Sequence, residues 1–143
     1  MKVRRSIMAA AAVAVLGTTG GLVIPAVASA HNASHTLKFI DVTNNMVTFT
    51  RMTFGLQETD TSAGKTIGFD DVFFTITGKN SLRGNVALDI KGGLLYGIVT
   101  TTNGGKTFSG KVTGGTGAFQ GATGTITAKA ITSTKTAVTI IYS

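Results

Sequence analysis

From Thr36 onward the chain is a succession of short segments in which apolar and polar side chains alternate, the period-two signature of half-buried β-strands. The segments run Thr36 to Val42, Met46 to Gly55, Lys65 to Thr77, Leu82 to Lys91, Leu94 to Thr101, Lys106 to Thr113, Thr123 to Ile131 and Thr136 to Tyr142. Between them stand residues with turn chemistry: Asn44-Asn45, Ser62-Ala63-Gly64, Gly78-Lys79-Asn80, Gly92-Gly93, Asn103-Gly104-Gly105 and Ser133-Thr134. Gly92-Gly93 is the clearest, because a two-residue hairpin needs positive φ at its centre and glycine supplies it without strain. In the fourth segment Leu82, Gly84, Val86, Leu88 and Ile90 share one face, and Arg83, Asn85, Ala87 and Asp89 the other. In the last, both faces are fairly apolar. Strands six and seven flank a turn carrying Gly114, Gly115, Gly117, Gly121 and Gly124. Eight short antiparallel strands without a helix must split into two sheets or close on themselves, and closure removes every exposed edge. The predicted fold class is all-β, an eight-stranded antiparallel closed barrel. Such a barrel is just wide enough to be filled by side chains or to hold one small ligand, so function is expected in the lumen.

The first thirty residues stand apart from this pattern. Lys2, Arg4 and Arg5 precede an Ala/Val-rich run, Met8 to Leu16, that ends well short of the roughly 20 apolar residues a membrane-spanning helix needs. Ala28-Ser29-Ala30 is a small-residue cleavage site, so residues 1–30 are expected to be a secretory signal peptide cleaved after Ala30. Arg4-Arg5 loosely matches a twin-arginine signal, but Val3 sits where that signal prefers a polar residue, which favours the general secretory route. The expected product is an extracellular single domain, residues 31–143, that begins with a short polar tail holding His31 and His35.

Composition narrows the chemistry. Residues 31–143 hold ten basic side chains against six acidic ones, a net charge of +4 rather than the +7 of the whole chain. The lysines are dispersed and lack aromatic interleaving, so no nucleic-acid partner is expected. No cysteine is present, which removes thiol catalysis, thiolate metal sites and disulfides together. Twenty-three threonines and no proline or tryptophan after Ala30 fit β structure throughout. The strands mix Lys, Asn and Thr into their alternation, unlike the uniformly apolar outer band of a membrane barrel.

Three segments, in order, carry a family resemblance. Asp60 to Gly68 (DTSAGKTIG) looks like a GK-x-G segment with one residue more between Lys65 and Gly68, Lys91 to Gly97 (KGGLLYG) contains a GG hairpin, and Thr113 to Gly124 (TGGTGAFQGATG) a TGGTG-x-[FY]-x-x-A-x-G signature. With these the chain resembles the allene oxide cyclase and dirigent superfamily of eight-stranded barrels, particularly small secreted bacterial members. The resemblance implies a lumen that binds a small hydrophobic molecule, and in the enzymes guides cyclisation, isomerisation or stereoselective coupling. It also implies a homo-trimer and no cofactor. Plant dirigent proteins carry an arginine after the signature's aromatic, where this chain has Gln120, Gly121 and Ala122. A non-catalytic carrier, or a structural protein with a filled barrel, remains an alternative.

The catalytic candidates are Asp41, Asp70, Asp71 and Tyr96. Asp41 shares a face with Leu37 and Phe39, placing a carboxylate among core positions, though it also stands next to the expected Asn44-Asn45 turn. In the resemblance it is the nearest match to the acidic group that the cyclases place on the first strand. Asp70-Asp71 lies inside the run Phe69 to Phe74, with one carboxylate on each face, and whichever points inward would have its pKa raised by desolvation. Tyr96 is equally placed to point inward as a donor or outward as cover. Glu58 and Asp60 lie in the segment leading to the third strand, where the resemblance implies rim and lumen acids, but by themselves they read as solvated loop acids. His31 and His35 without cysteine or a fixed scaffold make too weak a pair for a metal site, so no metal is expected. The glycines of Gly114 to Gly124 lack the spacing of a phosphate cradle.

Overall fold

A computed structural model describes residues 33–143, and the expected signal peptide, its cleavage site and His31 lie outside the described residues. Eight strands, β1 (His35–Thr50), β2 (Thr53–Ser62), β3 (Lys65–Gly78), β4 (Ser81–Ile90), β5 (Gly93–Thr101), β6 (Thr107–Gly115), β7 (Gly124–Ala130) and β8 (Lys135–Tyr142), pair in chain order. Every pairing is antiparallel, and β1 also pairs with β8, so the sheet closes into a barrel with no free edge. The alternation in the sequence becomes inside and outside: Phe39, Val72, Phe74, Leu88, Val99, Val112, Ile126, Val138 and Ile140 turn inward and form the core.

The first hairpin differs from the sequence expectation. Asn44-Asn45 is not a turn; β1 runs through it, with a bulge between Thr43 and Asn45 that shifts the register against β2. The two amides bond across the ladder instead, Asn44 Nδ2 to Thr59 Oγ1 at 2.6 Å and Asn45 Nδ2 to Gln57 Oε1 at 3.2 Å. The chain reverses at Arg51-Met52, where the Met52 amide donates to Thr50 Oγ1 at 3.1 Å. This local side-chain cap stands in for the glycine or asparagine that usually marks a reversal. As a result β2 covers Thr53 to Ser62 and not Met46 to Gly55, and Glu58 and Asp60 belong to a strand. His35, expected in a free tail, opens β1 and stacks on Tyr142 at 5.3 Å between ring centroids.

One end of the barrel is closed by two interlocking glycine turns. The β4–β5 hairpin, whose turn is Lys91-Gly92 and not the expected Gly92-Gly93 because Gly93 already pairs with Ile90, docks on the β6–β7 connection: the Ala118 amide donates to the Gly92 carbonyl (2.9 Å), the Thr116 amide to the Leu94 carbonyl (2.8 Å), and the Leu94 amide to Thr116 Oγ1 (3.0 Å). A short 3-10 turn, Gly117–Phe119, then drives the Phe119 ring into the core, edge-on to Tyr142 at 5.6 Å. Leu95, Val112 and Ala122 are buried beside it and fill that end. Space remains toward the opposite end, where the β5–β6 and β7–β8 turns lie.

Candidate functional site

The barrel holds a cavity of about 380 Å³. Phe39, Phe54, Phe74 and Phe108 supply aromatic surface, and Leu56, Val72, Leu88, Ile126 and Ile140 aliphatic surface. Gly104, Gly105, Lys106, Thr132 and Ser133 form its mouth. Small residues keep the interior open: at Ala128 a larger side chain would project into the cavity it lines.

Against this apolar lining, one wall is acidic. Asp41 on β1, Glu58 and Asp60 on β2 and Asp70 on β3 all turn inward and are buried, Asp60 completely. The register brings them together: Asp41 stands opposite Asp60 and Glu58 opposite Asp70 on neighbouring strands. Asp41, Glu58 and Asp70 line the cavity, and Asp60 lies behind them. Its neighbour across the ladder is Gly68, where a Cβ would come within 3.2 Å of Asp60 Oδ2 and collide with the Asp89 carbonyl. The last glycine of the Gly64 to Gly68 segment thus makes room for the buried acid.

Hydrogen bonding leaves these acids largely unanswered. Thr43 Oγ1 donates to Glu58 Oε1 at 2.6 Å. Asp41 Oδ1, both carboxylate oxygens of Asp60 and Asp70 Oδ1 are buried without a partner outside the acid cluster itself. Oxygens of Asp41, Asp60 and Asp70 all lie within 4.8 Å of one another, near enough to share a proton or be bridged by one cation.

Burial in a low-dielectric lumen disfavours the charged form, and each carboxylate makes the next harder to ionise. Desolvation, reinforced by Asp70, Glu58 and Asp60, pushes the Asp41 pKa up to about 10. Asp70 is pushed up to about 8 by burial and then by Glu58, Asp60 and Asp71. Burial lifts Asp60 to about 6, held lower than its neighbours because the protonated carboxyls of Asp41 and Asp70 can turn toward it as donors. Glu58 is raised by burial and partly restored by the Thr43 hydroxyl. At neutral pH the wall therefore holds both proton donors, Asp41 and Asp70, and a carboxylate able to accept, Asp60.

The four sequence candidates divide. Asp41 and Asp70 face the lumen together, whereas Asp71 and Tyr96 are on the outer surface. Asp71 and Tyr96 line a separate groove there with Val47, Phe49, Phe73 and Ile98, so neither reaches the cavity. The strand parity explains the split: Asp70 follows Val72 and Phe74 inward, while Asp71 goes out with Phe69 and Phe73, which are 58% and 42% exposed. Glu58 and Asp60, expected as solvated loop acids, are buried strand residues and complete the wall. Once β2 is placed at Thr53 to Ser62, both share the face of Phe54 and Leu56, a signal hidden by the turn expected at Asn44-Asn45.

No family model and no curated protein matches this chain by sequence. Solved structures do match by shape, and the fold is that of dirigent proteins and allene oxide cyclase-like barrels. A pyocyanin demethylase superposes with a TM-score of 0.66 at 15% identity, covering 76% of this chain and 100% of the other. The pterocarpan synthase dirigent protein PsPTS1 gives a TM-score of 0.67 at 15% identity, covering 78% and 95%. A second such protein, GePTS1, gives 0.61 at 18% identity, covering 77% and 87%. Among the described residues no helix is long and apolar enough to cross a membrane.

Proposed function

We propose that this protein is a secreted barrel that takes a small hydrophobic molecule into its lumen and guides its isomerisation or cyclisation by proton transfer. The observation that carries this reading is the coincidence of an open apolar cavity with the inward carboxyl groups of Asp41 and Asp70. A protonated Asp41 or Asp70 gives a proton to one atom of the substrate, and a neighbouring carboxylate removes one from another. The products are an isomer and the same number of acidic protons, so no oxidant or cofactor is required. The apolar wall excludes water and holds the substrate in one reactive conformer, which is where stereochemical control would arise. The dirigent proteins and the demethylase that share the fold support a barrel that guides chemistry on a small molecule.

Mass spectrometry of small molecules extracted from protein recovered from culture medium tests the reading. The wild type is expected to release a bound compound, and Ala128→Phe, which fills the cavity, to release none. Equal yields from both would place the compound elsewhere. With the compound in hand, Asp41→Asn and Asp70→Asn are each expected to slow its conversion by about 100-fold or more, the usual scale for losing a general acid. If the wild type returns the compound unchanged, the barrel is a carrier. Export is checked separately: the first residue of the protein in the medium is expected to be His31.

A further inference from the structure

We infer, resting on the ligand-binding reading above, that the molecule this lumen accepts carries a basic or cationic nitrogen on an apolar body of two or three fused rings. The charge distribution is lopsided. All ten Lys and Arg side chains of residues 31–143 are exposed, whereas four of the six acids are buried, and all four turn into the barrel. Lys106 touches the cavity only at its mouth and is itself exposed. A protein with a net positive exterior therefore encloses a purely acidic interior.

A ligand is selected by what this wall lacks. Asp41 and Asp70 each present a buried oxygen with no donor from the rest of the barrel, and Asp60 behind them presents two, so that only protons shared within the acid cluster answer them. An unanswered buried polar atom carries its full desolvation penalty, and a charge-assisted N–H···O contact is the strongest way to answer one. An ammonium, amidine or protonated ring nitrogen supplies both the donor and the charge. A carboxylate, phosphate or sulfate would face the Asp60 carboxylate, and further negative charge as the other acids ionise, with no cation inside the barrel to receive it. A neutral alcohol supplies a donor without the charge. The rest of the ligand meets Phe39, Phe54, Phe74 and Phe108, and Phe54 and Phe74 are already stacked at 5.1 Å, a surface suited to flat rings and to a cation over their faces. A volume of about 380 Å³ accommodates two or three fused rings.

The ionisable groups facing the bound nitrogen are Asp41, Glu58, Asp60 and Asp70. The other elements packed on this wall contribute Leu88 and Ile90 from β4 and Thr136 from β8, none of which titrates. Binding of a cation should displace protons from these carboxyls, so its affinity should rise with pH while that of a neutral analogue stays level.

Three probes of one shape separate the possibilities: 1-naphthylmethylammonium, 1-naphthylmethanol and 1-naphthoate, titrated calorimetrically into the full barrel at pH 6 and pH 8. The ammonium is expected to bind at least 10-fold more tightly than the alcohol at pH 8, with a smaller advantage at pH 6, and the naphthoate not to bind. Asp41→Asn and Asp70→Asn should each reduce the ammonium's advantage over the alcohol several-fold. Equal affinity for ammonium and alcohol, or preference for naphthoate, would overturn the inference while leaving a ligand-binding barrel. Binding of none of the three would overturn both. A fourth arm uses calcium chloride or magnesium chloride alone. A metal-induced thermal shift that is lost in Asp60→Asn, with no preference for the ammonium, would assign the acidic wall to an inorganic cation and reject the organic one.

Discussion

The melting temperature is expected to fall as pH rises from about 4 to about 10, most steeply at the acid end of that range and levelling off only near its top. An unfolded chain releases aspartate protons near 3.8, but folding raises Asp60 to about 6, Asp70 to about 8 and Asp41 to about 10. Between those limits the folded state binds more protons than the unfolded state, so stability declines with pH. The contribution is fully present below the unfolded value and is lost as pH climbs to each folded pKa. All three groups contribute to the slope up to about pH 6, two up to about 8, and Asp41 alone beyond that. A tenfold difference in proton affinity between folded and unfolded chain corresponds to about 1.4 kcal/mol, so loss of even two such factors of ten across the three groups removes about 3 kcal/mol. For a domain of this size that is on the order of 10 °C or more. Asp41→Asn is expected to flatten the profile and raise the melting temperature at pH 9, while disabling the site. Scanning calorimetry of both proteins across this range checks it. A wild-type maximum at alkaline pH would mean that the wall is compensated in a way the lumen does not reveal.

Gly117→Ala is expected to destabilise the barrel by about 3 kcal/mol or more, in the range of severe backbone and steric mutations. Two costs add. Gly117 has φ +59, where a non-glycine residue is disfavoured by about 1–2 kcal/mol. Its Cβ would also run into the Gly92 carbonyl, the acceptor that ties the two glycine turns together. Displacing that contact withdraws the turn that seats Phe119. Gly64→Ala is the control, since Gly64 has a similar φ of +75 but open space around its Cβ position, and should cost only the backbone part, about 1 kcal/mol. Urea titration of the two variants separates steric interlock from backbone strain. Equal losses would show that the docking of the turns adds nothing.

Much of the fold was legible because antiparallel strands advertise themselves twice, by alternation and by the residues at their reversals. Gly92-Gly93 is such a case: it marks the β4–β5 reversal, although the turn lies one residue earlier than expected, at Lys91-Gly92, and Gly93 already pairs with Ile90. The first hairpin was not legible for the same reason in reverse. Asn44-Asn45 has turn chemistry but lies in mid-strand, and Thr50 to Thr53 has little turn chemistry but reverses the chain. Misplacing β2 concealed two of the four lumen acids. The choice between Asp70 and Asp71 was closed to sequence because Phe69 and Phe73 are as apolar as Val72 and Phe74. Only closure of the barrel, which leaves the first pair outside, decides between the two faces. Asp41 was visible by its parity with Phe39, and its partner Asp60 required knowing which strands meet.

The plug of Phe119, Leu95, Val112 and Ala122 at one end has a kinetic consequence. With that end blocked, the turns at residues 102–106 and 131–134 frame both entrance and exit. If the barrel acts as proposed, a substrate advances with its leading group toward the interior, and the product must back out along the same track before another molecule can enter. Turnover then becomes a queue of length one. Side chains at the rim, such as Lys106 and Ser133, can set its pace without touching the reacting atoms.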